Sequence, residues 1–234
     1  MTVKFICSHV EDGNMSEKWE PGIGKKNTEA FLIKYGVTPE NTLALNIQDK
    51  NTIAEYDLSI VQKEPYGIFN IKADAIITRK KDLFVYSAFG DCVPFTIHDR
   101  KQDILVFAHL GLASAMQDLH IKVIHELMNK YGSKVENLHC YLGPSIKKES
   151  YIKKIDDIEI QHEWTDFIEK QDNLFAIDLQ GYIVHCLKKL NIENISISDI
   201  DTGKDEHYFS HYRSKRNLNY KEGRFIYGAM MVDE

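Results

Sequence analysis

The chain has 234 residues, of which 43% are hydrophobic and 27% are charged, and its formal net charge is −6. This composition is typical of a globular protein with enough apolar residues to build a core without disulfides. The acidic balance and the scattered basic residues argue against a nucleic-acid-binding protein, and no stretch approaches the roughly 20 apolar residues of a membrane span.

The cysteines and the first residues of the chain bear on its location. Cys7, Cys92, Cys140 and Cys186 lie far apart and form no CxxC pair, which favours reduced thiols over a disulfide framework. Residues 1–8 contain one lysine and no long apolar run, so they do not resemble a signal peptide. We therefore expect a cytoplasmic protein in which residues 1–234 form one domain.

The first half of the chain predicts a loop, a helix and then several strands. Residues 12–26 are rich in glycine and charge and predict a loop, after which Asn27 or Thr28 can cap a helix that Gly36 ends. Residues 79–82 predict the turn of a hairpin. The predicted strands are 43–47, 75–78, 83–88 and 93–98.

The second half predicts two strong helices among further strands. Residues 104–108 form a short apolar run typical of a buried strand, and apolar residues at helical spacing predict one long helix over 112–131. The remaining predicted elements are a strand at 135–142, a helix at 179–190 capped by Asp178, and strands at 195–200 and 224–231. Strands in runs, unevenly interrupted by helices, favour an α+β fold over a doubly wound sheet.

Cys92 and His109 are the residues best placed for chemistry. Cys92 lies in Gly90-Asp91-Cys92-Val93-Pro94, between two predicted strands, and His109 follows the strand 104–108. Strand ends are where a rigid scaffold presents reactive groups. Such a thiolate and imidazole can share a zinc ion or form a nucleophile and its base, and Asp91 can orient a ligand or cap a turn. The residues alone leave these alternatives open, together with ordinary packing.

Five short motifs follow one another in order from Ala73 to the end of the chain. This order resembles the YfiH-like family, whose members are also called multicopper polyphenol oxidase, laccase-domain protein and peptidoglycan editing factor. The motifs are Ala73-Asp74-Ala75 with Gly90-Asp91-Cys92-Val93-Pro94, Ala108-His109-Leu110-Gly111, Gly143-Pro144-Ser145-Ile146 with Tyr151, Asp178-Leu179, and Phe209-Ser210-His211-Tyr212-Arg213 with Gly223-Arg224.

The resemblance implies a YfiH-like, CNF-like fold, that is, a mixed α+β fold of packed β-sheets flanked by helices, and a zinc site of two histidines and one cysteine. It implies phosphorolysis of adenosine, inosine, guanosine and methylthioadenosine, and deamination of adenosine. Cys92 and His109 would be zinc ligands, with Asp91 beside them in the catalytic group. Arg213 and Arg224 can bind substrate phosphate, as arginine side chains often do, or form ordinary surface salt bridges.

The chain departs from the family pattern near the expected metal. The early ligand histidine of the family is absent from Asn46-Ile47-Gln48-Asp49-Lys50, where either Gln48 or Asp49 takes its position. Asp49 is the better zinc ligand of the two, because it is a carboxylate. Leu112-Ala113-Ser114 replaces the Trp-Arg-Gly of the family, and Asp201-Thr202 replaces its Cys-Thr pair.

Three hypotheses remain open. The first is a zinc-dependent purine nucleoside phosphorylase or adenosine deaminase with Cys92, His109 and Asp49 as ligands. The second is a metal-free hydrolase in which His109 deprotonates Cys92. The third is a homologue that has lost activity and acts as a binding protein, for example in quality control of cell-wall precursors.

The histidines bear on which metals to expect. None of the ten lies two residues from another, as the His-x-His clusters of multicopper oxidases require, so no copper is expected. His207 and His211 lie four residues apart, and we predict a loop there because nothing around them predicts a helix.

Overall fold

The computed structural model describes residues 1–56, 62–63, 69–154 and 162–233, and the elements given below lie within them. The helices are α1 (Gly24–Lys34), α2 (Leu112–Met116), α3 (Leu119–Tyr131), α4 (Leu179–Lys189) and α5 (His211–Arg216). The strands are β1 (Thr2–Cys7), β2 (Thr42–Asn46), β3 (Ile53–Glu55), β4 (Gln62–Lys63), β5 (Phe69–Lys72), β6 (Ala75–Thr78), β7 (Phe84–Phe89), β8 (Val93–Asp99), β9 (Ile104–Leu110), β10 (Leu138–Leu142), β11 (Ile152–Lys153), β12 (Ile168–Gln171), β13 (Leu174–Ile177), β14 (Ile195–Ile197) and β15 (Phe225–Val232).

Two mixed sheets of six strands each form the centre of the fold. The first sheet has the order β1-β15-β7-β2-β5-β4, and the second has the order β14-β10-β8-β9-β6-β3. Both contain parallel and antiparallel neighbours, for example parallel β2 and β5 in the first sheet and antiparallel β8 and β9 in the second. A small third sheet has the order β11-β13-β12.

The alternation of side chains along β9 shows how the layers pack. Leu105 and Phe107 are fully buried between the two sheets, whereas Val106 and Ala108 are fully buried in the cluster that includes the apolar face of α3. Successive residues of a strand point to opposite faces, so a run of apolar residues fits a strand that is covered on both sides. The outer face of the first sheet packs against Phe31 of α1. The layers are therefore helix, sheet, sheet and helices, which confirms the predicted α+β architecture.

Two structural predictions are wrong: the hairpin at residues 79–82 and the single helix over residues 112–131. Residues 79–82 do not close a hairpin, because β6 belongs to the second sheet and β7 to the first, so the turn carries the chain between sheets. A turn motif predicts a reversal of direction but not the partner of the next strand. The single helix predicted over 112–131 is broken after α2, because Asp118 adopts a left-handed backbone conformation with φ of 60°.

Smaller differences concern where elements begin. Helix α1 begins at Gly24, before the predicted cap at Asn27 or Thr28, and Gly36 follows its end with a left-handed φ of 69°. His211 does not lie in a loop, because it is the first residue of α5, where the Ser210 hydroxyl accepts a hydrogen bond of 3.1 Å from the backbone nitrogen of Arg213. In the part of the chain that the structure describes, none of the helices has the length and apolar character needed to cross a membrane.

Candidate active site

Cys92 and His109 are held next to each other by two neighbouring strands. In the β8–β9 pair, Val93 lies opposite Leu110 and Pro94 lies opposite His109. One step further along this register Cys92 meets Gly111, and a Cβ atom on Gly111 would lie 3.2 Å from the Cys92 Sγ atom. Since residues two apart on a strand share a face, the Cys92 and His109 side chains both point from the second sheet toward the first.

The His109 ring is fixed between the two sheets. It stacks on the ring of Phe89, the last residue of β7, with centroids 4.4 Å apart and planes 11° apart. Its Nδ1 atom is buried and has no hydrogen-bond partner among the described residues. Burial lowers the pKa of His109 to about 4, Asp74 opposes this shift, and Arg224 adds to it. The imidazole is therefore neutral at physiological pH.

These two side chains line a cavity of about 600 Å³. This volume lies in the range of sites that bind small molecules. Aromatic, cationic and ionisable side chains surround the same space. They include Trp19, Asp49, Asp91, Tyr151, His211, Tyr212 and Arg224.

The carboxylate of Asp91 is used to assemble the cavity wall. It is buried and accepts hydrogen bonds of 2.8 Å from the Thr202 hydroxyl and 2.8 Å from the backbone nitrogen of Tyr212. Burial raises the pKa of Asp91, and these hydrogen bonds oppose the shift. Asp91 also has a positive φ of 120°, a conformation that costs energy in a residue other than glycine. Its contacts therefore make it a positioning residue that ties α5 to the Cys92 segment.

Asp74 is a second buried carboxylate that organises the site, and the sequence analysis gave it no role. Its two oxygens accept five hydrogen bonds, from the backbone nitrogens of residues 48–50 and from the backbone nitrogen and hydroxyl of Thr52. Its own carbonyl accepts a hydrogen bond of 3.0 Å from the His109 backbone nitrogen. Burial raises the pKa of Asp74, but the hydrogen bonds outweigh it and the pKa lies below its ordinary value. Asp74 thus joins the loop 48–52 to the strand of His109.

The structure distinguishes the two residues that could replace the early histidine of the family. The Gln48 side chain turns away from the cavity, and its Nε2 atom donates to the backbone oxygens of Asn46 at 3.0 Å and Ile47 at 3.2 Å. Asp49 lines the cavity instead. Burial, together with the charges of Asp91 and Asp49, raises the pKa of Cys92 to about 12 against the opposing charge of Arg224.

The three predicted zinc ligands share the cavity but do not converge. Within residues 1–56, 62–63, 69–154 and 162–233, no three His, Cys, Asp or Glu side chains lie close enough together to hold one metal ion. A catalytic zinc normally has three protein ligands. Cys92, His109 and Asp49 supply suitable donor atoms, but the side chains as placed do not form a three-ligand zinc centre.

The two predicted phosphate-binding arginines have different surroundings. Arg224 lines the cavity, and its guanidinium lies 5.5 Å from the centre of the Trp19 ring. Arg213 lines a smaller cavity of about 180 Å³ instead. Its guanidinium donates to the backbone oxygens of residues 202, 205 and 208. The structure therefore brings Arg224 to the site and gives Arg213 a role in holding the chain before α5.

His211 and Glu222 form a pair at the cavity that the sequence analysis did not predict. The Nδ1 atom of His211 lies 3.0 Å from the Glu222 Oε2 atom, and His211 lines the cavity. Glu222 also accepts hydrogen bonds from the Ser214 hydroxyl at 2.7 Å and from Arg224 at 2.6 Å. The motif Phe209-Ser210-His211-Tyr212-Arg213 could have pointed to His211, because it belongs to the family resemblance.

Comparison with known proteins supports a family assignment. Residues 14–232 match the family described as "Multi-copper polyphenol oxidoreductase laccase". Purine nucleoside phosphorylase YlmD of Bacillus subtilis (strain 168) is 29% identical over 78 residues, which cover 33% of this chain and 28% of that protein. A purine nucleoside phosphorylase of Clostridium acetobutylicum is 25% identical over 175 residues, which cover 74% of each protein.

A solved structure shows the same fold. The hypothetical protein YfiH of Bacillus licheniformis superposes with a TM-score of 0.79 over 93% of this chain and 85% of that one, at 16% sequence identity. At this identity the likeness establishes the architecture alone. It agrees with the fold that the sequence motifs predict.

Proposed function

The chain belongs to the family described as "Multi-copper polyphenol oxidoreductase laccase", and from this premise we propose that it is a purine nucleoside phosphorylase. The family confirms the resemblance that the five sequence motifs carry. The observation on which the proposal depends most is that Cys92 and His109, from two of those motifs, meet at one cavity. The names of the curated relatives supply the reaction.

The cavity has the chemical character that this reaction needs. A purine base can stack on aromatic side chains such as Trp19, Tyr151 and Tyr212, and the cation of Arg224 attracts phosphate. In phosphorolysis an oxygen of inorganic phosphate attacks C1′ of the ribose while the bond from C1′ to the purine N9 breaks. The expected products are the free base and ribose 1-phosphate.

The proposal includes a zinc ion, which Cys92 and His109 would bind. Both side chains point to the same face of the second sheet, and thiolate and imidazole are ligands that zinc prefers. No step of the reaction is assigned to the ion, because the described side chains do not form a three-ligand site. Deamination of adenosine is proposed as a further activity of the same cavity.

The experiment incubates the purified protein with inosine and phosphate, and separately with adenosine, and identifies the products by chromatography. We expect hypoxanthine and ribose 1-phosphate from inosine only when phosphate is present. Adenine would report phosphorolysis of adenosine, and inosine would report its deamination. A folded wild-type protein that releases no base in the presence of phosphate would refute the proposal.

Variants then connect the activity to the site. We expect Cys92→Ala and His109→Ala to abolish turnover. Cys186→Ala and His125→Ala are matched controls, because both residues lie on helices outside the cavity, and these variants should keep wild-type rates. Thermal unfolding of all four variants separates a loss of activity from a loss of the fold.

The other two hypotheses receive less support. Cys92 and His109 make no hydrogen bond to each other among the described contacts, and burial raises the pKa of Cys92 to about 12. A cysteine nucleophile is normally paired with its base and has a lowered pKa. A homologue that only binds nucleosides would show binding of inosine without turnover in the same experiment.

A further inference from the structure

The His211 side chain is held in one orientation by a carboxylate that can only accept hydrogen bonds. Nδ1 lies 3.1 Å and 3.0 Å from the two oxygens of Glu222. Because a carboxylate can only accept, Nδ1 carries a proton and donates a hydrogen bond to Glu222. In the described part of the chain, the other ring nitrogen, Nε2, makes no hydrogen bond. The His211 side chain is 39% exposed and Glu222 is 17% exposed. The carboxylate of the pair is therefore more buried than the imidazole.

Two hydrogen bonds from backbone nitrogens at the start of α5 hold His211 at the cavity. The His211 backbone nitrogen donates to the Gly90 oxygen at 3.3 Å, and the Tyr212 nitrogen donates to Asp91 at 2.8 Å. Both acceptors immediately precede Cys92. The first turn of α5 is thus tied directly to the segment that carries the thiol, and His211 lines the same cavity as Cys92 and His109.

Charged side chains surround the His211 ring. The Glu222 carboxylate is in contact with the ring, and Asp91 interacts with it electrostatically. The guanidinium of Arg224 donates a hydrogen bond of 2.6 Å to the same Glu222 carboxylate. An imidazolium beside a carboxylate is a common proton donor in enzymes, whereas the buried His109 is neutral at physiological pH.

We propose that His211 is the general acid that protonates the purine base as it leaves, and that Glu222 is the residue that positions it. The inference rests on the proposed phosphorylase function. The proton acceptor on the substrate is N7 of the purine, because breaking the bond at N9 delocalises an electron pair over the five-membered ring of the base.

The protons balance over one turnover. An oxygen of hydrogen phosphate forms a bond to C1′, the C1′–N9 bond breaks, and its electron pair goes to the purine. The Nε2 proton of the His211 imidazolium moves to N7, which releases a neutral base. The monoprotonated ribose 1-phosphate then loses its proton, which returns to His211 through solvent.

A substrate that needs no proton tests this assignment. The base of 7-methylguanosine already carries a positive charge at the N7 position, so it leaves as a neutral molecule without an acid. With wild type measured first, we expect His211→Gln to lower kcat on inosine about 100-fold or more and to leave kcat on 7-methylguanosine within about threefold of wild type. The solvent deuterium isotope effect on inosine turnover should be present in wild type and absent from the variant.

Two further variants are needed. Glu222→Gln tests the positioning residue, and His125→Gln is the control. Glu222→Gln removes the carboxylate that orients the ring, so it should show the same preference for 7-methylguanosine in a weaker form. His125 lies on the exposed face of α3, and His125→Gln should match wild type on both substrates.

The outcomes separate the two proposals. Equal losses on both substrates, or a raised KM for phosphate with kcat unchanged, would make His211 a structural or phosphate-binding residue and would overturn this inference while leaving the phosphorylase proposal standing. An isotope effect that persists in His211→Gln would overturn it as well. A folded wild-type protein without any phosphorolysis would overturn both.

Discussion

The carboxylate of Asp74 accepts a hydrogen bond of 2.8 Å from the backbone nitrogen of Asp49, a residue that lies 25 positions earlier in the chain. Asp49 has a left-handed φ of 56°, as does Asn51 with 54°, so this loop has a tightly curved backbone whose N–H groups point inward. Such a cluster of donors needs an anion at its centre. Asp74 supplies that anion and thereby decides where the Asp49 side chain meets the cavity.

The first prediction concerns the stability of this loop. Asp74→Asn replaces one of the two accepting oxygens with an amide group that donates, which leaves buried backbone donors without a partner. We expect the free energy of unfolding to fall by about 2–4 kcal/mol, measured by urea denaturation. Asp166→Asn is the matched control, because Asp166 is exposed and should change stability by less than about 0.5 kcal/mol. Equal values for the two variants would contradict the role of Asp74.

The second prediction is the pH dependence of that difference. The pKa of Asp74 in the folded protein lies below its ordinary value, because hydrogen bonds outweigh burial. The stability that its ionised form provides is therefore fully present above the pKa of the unfolded chain, near 4, and is lost as the pH falls through the folded value. The difference in unfolding free energy between wild type and Asp74→Asn should be constant from about pH 8 to 5 and should shrink below about pH 4. A difference that stays constant to pH 3 would argue against an ionised Asp74.

Much of the fold was accessible from the sequence because local patterns encode it. The run 104–108 is apolar at every position, and the structure buries β9 on both faces. The predicted strands placed Cys92 and His109 at strand ends, and the register of β8 and β9 brings them together, with His109 inside the longer β9. Local hydrophobicity and turn residues suffice for such elements.

The rest depends on contacts between distant segments. Nothing local to residues 79–82 shows that β6 and β7 join different sheets. The contact between Glu222 and His211 forms across the end of α5, and the Asp74 contacts join segments more than 20 positions apart. Asp118 ends α2 through a backbone conformation that its helical neighbours do not signal. Predicting such features requires the three-dimensional structure, because no local sequence pattern encodes them.

The third prediction concerns the reactivity of Cys92. The side chain lines the cavity, so a small reagent can reach it, but burial raises its pKa to about 12. At pH 8 only about one thiol in ten thousand is then ionised, and the thiolate is the reactive form. We expect iodoacetamide to label Cys92 in the metal-free native protein about a thousand times more slowly than in the urea-unfolded chain, measured by mass spectrometry of the peptide. Labelling within minutes would instead favour the cysteine-hydrolase hypothesis.

The last prediction tests why the three zinc donors fail to converge. The early histidine of the family falls at Gln48 or Asp49 in this chain, and of these two residues Asp49 lines the cavity. An imidazole extends further from the backbone than the short aspartate side chain. The left-handed conformation at Asp49 is one that histidine tolerates better than most residues, so Asp49→His should not disturb the loop that Asp74 holds. We expect Asp49→His to bind zinc about tenfold or more tightly than wild type, measured by metal analysis after dialysis against a chelator.

Gln48→His is the matched control for this variant. Its position is adjacent in sequence, but the Gln48 side chain turns back to the carbonyl oxygens of residues 46 and 47 and does not line the cavity. Zinc retention in Gln48→His should therefore stay at the wild-type level, and Cys92→Ser in the Asp49→His background should remove the gain. An equal gain in both histidine variants would show that the new imidazole binds zinc without Cys92 and His109. No gain in Asp49→His would show that position 49 does not face the ion, and the zinc centre would then have to be built without this loop.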